Sequence, residues 1–182
     1  MGLRLKIDNS TYLFFVTTTV VDFTKVFNED SYSLVVIDNL NFYREEYGFK
    51  LIAYVIMPEH LHLIVWTKEN ISISSIMRDF KKYTSVQIKR KLQADNNKKL
   101  ISIFQKNAWG YKGQEFKLWM DRFDRLVIYT PEILQQKVDY IHFNPMRRNL
   151  VKDILDWKYS SARNYYLNDH SIIRVDNEVV LI

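Results

Sequence analysis

The chain has 182 residues, 47% hydrophobic and 15% aromatic, so it can bury a core and is not intrinsically disordered. It contains no cysteine, which excludes disulfides and thiolate chemistry, and no apolar run reaches the roughly 18 residues of a membrane span. The net charge of +5 favours a polyanionic partner, although mild basicity also serves solubility.

The first half of the chain predicts a strand, a helix and two further strands. Residues 11–20, TYLFFVTTTV, are β-branched and aromatic, as in a buried strand. Residues 31–48 show apolar positions near helical spacing, and Gly48 suits the end of that helix. Residues 49–57 and 60–66, FKLIAYVIM and HLHLIVW, predict two strands separated by only two residues.

The second half predicts a long helix, a strand and another helix. The long helix covers residues 71–93, and residues 116–129 contain the strand. Thr130 is a suitable N-cap for the last helix. We expect Pro145 to end that helix close to Asn144, because the proline ring clashes with the carbonyl four residues earlier.

The element order indicates the fold class. Strand, helix, strand, strand, helix and strand is typical of an α+β, ferredoxin-like split βαβ fold, an antiparallel sheet with helices packed on one face. The length indicates a single domain over residues 1–182, and we expect residues 146–182 to form a C-terminal extension that packs on the body.

Two of the four histidines stand one residue apart in the segment MPEHLHLIVW. Side chains at i and i+2 of a strand leave on the same face, so His60 and His62 project together while Leu61 and Leu63 face the opposite way. Two imidazoles placed in this way can share one cation, provided that another element supplies further ligands. The alternative is a pair of ordinary half-buried strand histidines.

The predicted last helix carries a second pair of polar residues. Tyr140 and Asn144 are four residues apart and therefore share a helix face. A tyrosine hydroxyl can attack a phosphodiester when a metal polarises the phosphate, and an asparagine oxygen can ligate that metal. Two imidazole nitrogens and one amide oxygen suit Mg²⁺ or Mn²⁺. Alternatively, Tyr140 lies in the core or its rim, and Asn144 is a C-terminal cap.

The motifs PEHLH and DYIHFNPMRRNLV, in this order, resemble those of the HUH-superfamily single-tyrosine transposases, above all the REP-associated tyrosine transposases. DWKYSSARNYY is similar to a further segment of that family. The resemblance implies the same ferredoxin-like sheet, His60 and His62 as metal ligands, Asn144 as the third ligand and Tyr140 as the nucleophile. It also implies transesterification of single-stranded DNA, with a 5′-phosphotyrosine intermediate and a released 3′-hydroxyl.

The chain departs from the family pattern at three places. Members often carry Asn where this chain has Glu59. A basic residue and an Ala-Gly pair follow the Asn-Pro pair in the family, whereas this chain has Arg147, Arg148 and Asn149, which we expect to alter a turn rather than the chemistry. In residues 123–128 a family histidine has become Arg125 and a terminal arginine has become Ile128. If these positions touch DNA, their contacts must differ from those of the relatives.

The expected partner is single-stranded or hairpin DNA, and we expect no association with a membrane. Cations position the phosphates and aromatic rings stack on bases, although a charged helix face is often only solvated. The candidates are Arg78, Lys81, Lys82, Tyr83, Arg122, Arg125, Arg147 and Arg148. A homodimer is left open, since in dimeric relatives a partner supplies the tyrosine helix. The first ten residues lack a secretory signal, so we expect a cytoplasmic, nucleoid-associated prokaryotic protein.

Two other functions are compatible with these motifs. The first is a catalytically degenerate module that holds hairpin DNA without cutting it. The second is another HUH nickase, of the replication-initiator or relaxase type, which the resemblance disfavours because those proteins are usually larger. His142 lies two residues from Tyr140, about 200° around an ideal helix, so we expect it to have a structural role or to lie at the surface.

Overall fold

The structure of the chain is a computed structural model that describes residues 12–177. Four strands form an antiparallel sheet in the spatial order second, third, first, fourth. They are β1 (Tyr12–Thr19), β2 (Lys50–Ile56), β3 (His60–Thr67) and β4 (Asp124–Val127). This order confirms the predicted ferredoxin-like α+β fold. Thr11, which begins the first predicted strand, and the segment MGLRLKIDNS lie outside the described residues.

The helices follow the sequence signals closely. They are α1 (Asp30–Tyr47), α2 (Ile73–Ala94), α3 (Lys98–Ala108), α4 (Pro131–Arg147) and α5 (Ala162–Leu167). The predicted stop at Gly48 is confirmed by its left-handed φ of 63°, and Thr130 caps α4 by accepting a hydrogen bond from the Ile133 amide. Across residues 12–177, no helix combines the length and apolarity required to cross a bilayer.

Both faces of the sheet are covered. The expected layer of helices on one face is formed by α1 and α2, which pack on Leu61, Leu63 and other side chains of that face. Helix α4 instead covers the opposite face, where Leu134 and Val138 pack with Ile64. The physical reason is that the central strands carry apolar side chains on both faces, and each apolar face must be shielded from water.

The end of α4 differs from the expectation at Pro145. The helix continues through this proline to Arg147. Pro145 cannot donate to the carbonyl four residues back, but the next carbonyls find donors, because the Arg148 amide bonds to Asn144 O at 3.1 Å and the Leu150 amide bonds to Pro145 O at 3.0 Å. One lost hydrogen bond in the last turn is therefore tolerated, and Asn144 stays within the helix.

The segment after α4 contacts β2. The Ser161 amide donates to Tyr54 O at 2.9 Å, and the indole of Trp157 donates to Ile56 O at 2.9 Å. Further along, the Leu51 amide donates to a carboxylate oxygen of Asp176 at 2.9 Å. These bonds occupy the outer edge of β2, which β3 leaves unpaired.

Candidate active site

Strand β3 holds the two histidines next to each other on the face that α4 covers. The ring centroids of His60 and His62 are 4.7 Å apart. The Nδ1 atom of His62 is 2.8 Å from Oγ1 of Thr17 on β1, and Nδ1 of His60 is 3.1 Å from Oε1 of Glu59. When each Nδ1 donates its proton to that oxygen, each Nε2 keeps its lone pair for a ligand.

The surroundings of the histidines keep both rings neutral near pH 7. Burial lowers the pKa of His62 to about 3, and the positive charges of a protonated His60 and of Lys137 act in the same direction. Burial also lowers the pKa of His60, and the carboxylate of Glu59 opposes this effect. Neutral imidazoles are the form that binds a metal ion.

Helix α4 brings Tyr140 to the histidine pair. The ring centroid of Tyr140 is 5.1 Å from that of His62 and 5.8 Å from that of Phe15 on β1. The helix is held in this position by Leu134 and Ile141, which are fully buried against the sheet. Because the hydrophobic stripe faces the sheet, the half-buried Tyr140 lies at the margin of the contact rather than in the core.

Two cations flank the Tyr140 ring. The Lys137 ammonium is 5.8 Å from its centroid and 5.0 Å from that of Phe15, and the Arg147 guanidinium is 5.8 Å from the Tyr140 centroid. The sequence analysis did not identify Lys137 as a site residue. It lies three residues before Tyr140, and residues three apart on a helix are neighbours, so the spacing could have indicated it. Thr17 was also missed, because only the pairing of β1 with β3 places it opposite His62.

The site contains buried polar atoms that the protein leaves unsatisfied. In the part of the chain that the structure describes, Nε2 of His62, Oδ1 of Asn144 and Oε2 of Glu59 are buried without a hydrogen-bond partner. Such atoms are costly in a folded protein and call for a ligand or another specific reason. Unpaired nitrogen and amide-oxygen acceptors fit a divalent cation.

A third ligand for such a cation must be a residue other than His, Cys, Asp or Glu. No group of three or more His, Cys, Asp and Glu side chains within residues 12–177 is arranged to hold a metal ion. Asn144 lies one helical turn beyond Tyr140 on the same helix, and its side chain is only 6% exposed. A donor set of two imidazoles and one amide oxygen fits Mg²⁺ or Mn²⁺.

The departures from the family pattern have distinct structural positions. Ile128 is buried in the core under α4, so this position packs rather than faces solvent. Asn149 adopts a φ of 54°, a left-handed conformation that Asn tolerates better than most residues and that Gly adopts freely. Arg148 places Nη2 2.8 Å from Oε1 of Glu59.

The candidate DNA-contacting residues on α2 lie on the other side of the sheet from the histidines. Lys81 and Lys82 line a cleft of about 720 Å³ together with Arg78. The residues of the candidate active site, namely His60, His62, Tyr140 and Asn144, do not line this cleft. The Lys81 ammonium donates to the carbonyls of Met120, Asp121 and Arg122 at 2.6, 3.0 and 3.3 Å, so it holds a loop.

The remaining candidates divide between the two sides. Arg78 pairs with Asp79 at 2.8 Å, and the ring of Tyr83 is half exposed. Arg125 lies opposite Val16, whose side chain faces α1 and α2, so Arg125 is on the α2 side as well. Arg122 is exposed in the preceding loop. Of the eight candidates, Arg147 and Arg148 are the two that lie on the helix that carries Tyr140 or directly after it.

His142 points away from the site. Its Nε2 is 2.9 Å from Oγ of Ser161, and its ring contacts Tyr165 at a centroid distance of 5.0 Å. It is fully buried, and this burial lowers its pKa to about 4. This geometry agrees with the expected structural role, in which the imidazole joins α4 to the segment that follows it.

Comparisons with known proteins agree with the fold and the motifs. The family model of the IS200-like transposases matches residues 14–112, more than half of the chain. A Haemophilus influenzae protein assigned as a REP-associated tyrosine transposase is 30% identical over 156 residues, covering 82% of this chain and 78% of that protein. The REP-associated tyrosine transposase of Escherichia coli K12 is 29% identical over 115 residues, 62% of this chain and 54% of that protein.

A solved structure has the same fold. It is a REP-associated tyrosine transposase bound to a REP hairpin, and it superposes with a TM-score of 0.64 at 22% sequence identity. The alignment covers 90% of this chain and 84% of that one.

Proposed function

The chain belongs to the IS200-like transposase family, and on this basis we propose that it cuts and rejoins single-stranded DNA through a phosphotyrosine intermediate. The observation that carries the proposal is the approach of Tyr140 to His62, with ring centroids 5.1 Å apart. His62 is on β3 and Tyr140 is on α4, far apart in the sequence, and the fold brings them together. A core tyrosine would not need two histidines and an unpaired amide beside it.

The proposed metal ligands are His60, His62 and Asn144. The unsatisfied Nε2 of His62 and Oδ1 of Asn144 support this set, as do the Nδ1 contacts, which leave each Nε2 free for a ligand. A bound Mg²⁺ or Mn²⁺ would polarise the scissile phosphate and stabilise the charge that develops on its oxygens.

Tyr140 is the proposed nucleophile. Its hydroxyl oxygen attacks the phosphorus, a new bond forms between tyrosine oxygen and phosphorus, and the bond from phosphorus to the 3′-oxygen breaks. The products are a 5′-phosphotyrosine and a free 3′-hydroxyl, which can later attack the same linkage and rejoin the DNA. The number of phosphoester bonds is conserved, so the cycle needs no nucleotide cofactor.

Lys137 and Arg147 are proposed to position the substrate. Both cations lie within 6 Å of the Tyr140 ring, where a phosphate approaching the hydroxyl would meet them. We infer hairpin DNA as the substrate class, because the solved relative binds a REP hairpin. The cleft on the α2 side carries Arg78 and Lys82 and is a proposed contact for the stem or a flanking strand.

The test is covalent trapping. Single-stranded hairpin DNA incubated with the chain and Mn²⁺ is expected to yield a protein–DNA adduct that survives denaturing electrophoresis. The adduct is expected to disappear in Tyr140→Phe and to persist in Tyr129→Phe, a control at a tyrosine that is 68% exposed. An adduct that persists in Tyr140→Phe refutes the nucleophile. Tight hairpin binding with no adduct on any substrate would instead support the non-cutting module.

A further inference from the structure

Glu59 is a buried carboxylate at the start of the histidine strand. Glu59 is only 3% exposed, and its backbone carbonyl accepts a hydrogen bond from the Val20 amide at 2.8 Å. Burying a carboxylate is expensive unless a charge or a hydrogen-bond donor compensates it. A glutamate at this place therefore needs a specific partner, and it has two.

Both partners bind the same carboxylate oxygen. Oε1 of Glu59 is 3.1 Å from Nδ1 of His60 and 2.8 Å from Nη2 of Arg148. The contact with His60 engages the nitrogen on the side of the ring away from Nε2, so it fixes the ring with Nε2 free. The contact with Arg148 neutralises the charge that this arrangement buries.

Arg148 connects this carboxylate to the tyrosine helix. It is the residue that caps α4, and its amide donates to Asn144 O at 3.1 Å. The ion pair therefore joins the helix end that carries Asn144 to the turn that precedes His60. Glu59 and Arg148 are also two of the places where the chain departs from the family pattern, and in the structure they touch.

We propose that Glu59 and Arg148 form a positioning pair, in which the carboxylate orients His60 for metal binding and the guanidinium holds the carboxylate and the end of α4. This inference rests on the proposed metal site. Direct metal ligation by Glu59 is not part of it, because Glu59 binds His60 through Nδ1 and forms no metal-holding group with other acids and histidines among residues 12–177.

The first measurement is Mn²⁺ affinity by calorimetry on the full chain. Glu59→Gln keeps the shape and removes the charge, and it is expected to weaken Mn²⁺ binding about 10- to 100-fold, the usual effect of losing a partner behind a ligating histidine. The matched control is Asp169→Asn, which removes an acid that pairs with Arg163 at the same distance of 2.8 Å, and it is expected to leave Mn²⁺ affinity unchanged.

The second measurement is a folding cycle in EDTA, which does not depend on the metal. Arg148→Ala alone leaves the buried Glu59 charge unpaired and is expected to lower the folding equilibrium constant about 10-fold or more. In the Glu59→Gln background the same substitution is expected to change that constant less than about 3-fold, because no charge remains to be compensated. If Glu59→Gln does not fold, Glu59→Asn combined with Arg148→Ala removes both charges and carries the affinity measurement.

The outcomes separate this proposal from the proposed function. Wild-type Mn²⁺ affinity in folded Glu59→Gln overturns the positioning role, and equal effects of Arg148→Ala in both backgrounds overturn the pair. Failure of the unsubstituted chain to bind Mn²⁺ refutes the proposed metal site, and with it the positioning role, whereas coupling in EDTA would still establish the ion pair.

Discussion

Replacing Asn144 by leucine should make the metal-free protein more stable than the wild type and remove most of the stabilisation that Mn²⁺ provides. The Asn144 side chain is 6% exposed, and its Oδ1 is buried with no hydrogen-bond partner among the described residues. An unsatisfied buried acceptor costs about 1–3 kcal/mol, and leucine, which has the same branching but no polar atom, removes that cost. For a chain of this size, each kcal/mol shifts Tm by about 2–4 °C.

Mn²⁺ acts in the opposite direction, because the variant lacks one of the proposed ligands. At a Mn²⁺ concentration of 100 times the wild-type Kd, binding stabilises the wild type by about 2.7 kcal/mol. Losing a direct ligand is expected to raise Kd at least about 100-fold, which leaves the variant less than about 0.5 kcal/mol of metal stabilisation at the same concentration. Thermal unfolding in EDTA and in Mn²⁺ measures both quantities on the same samples.

The matched control is Asn164→Leu. Asn164 is 3% exposed, but its amide donates to Ile173 O at 2.8 Å, so its loss is expected to destabilise the protein in both buffers and to leave the Mn²⁺ shift intact. The reasoning is refuted if Asn144→Leu loses stability in EDTA as Asn164→Leu does, or if it keeps the wild-type Mn²⁺ shift.

Two further predictions concern the charges around the site. Lys137→Gln is expected to weaken single-stranded DNA binding and to reduce the slope of log K against log salt by about 0.7, whereas the exposed Lys152→Gln leaves both nearly unchanged; equal salt slopes in the two variants would remove Lys137 from the interface. Burial lowers the pKa of His62 to about 3 and of His142 to about 4, below an unfolded value near 6.5, so the unfolded chain takes up protons first as the pH falls. Stability is therefore full above about pH 6.5 and falls below it, by about 1.4 kcal/mol per histidine between pH 7.5 and 5.5. Urea unfolding in EDTA at the two pH values measures the loss, and His142→Gln should lose about 1.4 kcal/mol less than the wild type over this range; an unchanged pH dependence in that variant contradicts the assignment.

The sequence determined the local structure because its signals act over a few residues. The two-residue period of β3 placed His60 and His62 on one face, and Thr130 marked the start of α4. The four-residue spacing placed Tyr140 and Asn144 on one side of that helix. The element order was sufficient for the sheet topology, since few arrangements bury a split βαβ unit.

The tertiary structure decided which elements face each other. The layer that covers the histidine face, the approach of Lys137 to Phe15 and the contact of Thr17 with His62 all depend on strand pairing and helix packing across the chain. The prediction that α4 ends close to Asn144 was wrong, because the steric rule for proline does not consider the amide donors that follow Pro145 and bond to the last carbonyls of the helix. Long-range contacts carry no periodic signal in one sequence, and so the meeting of Glu59 with Arg148 could be found only in the folded chain.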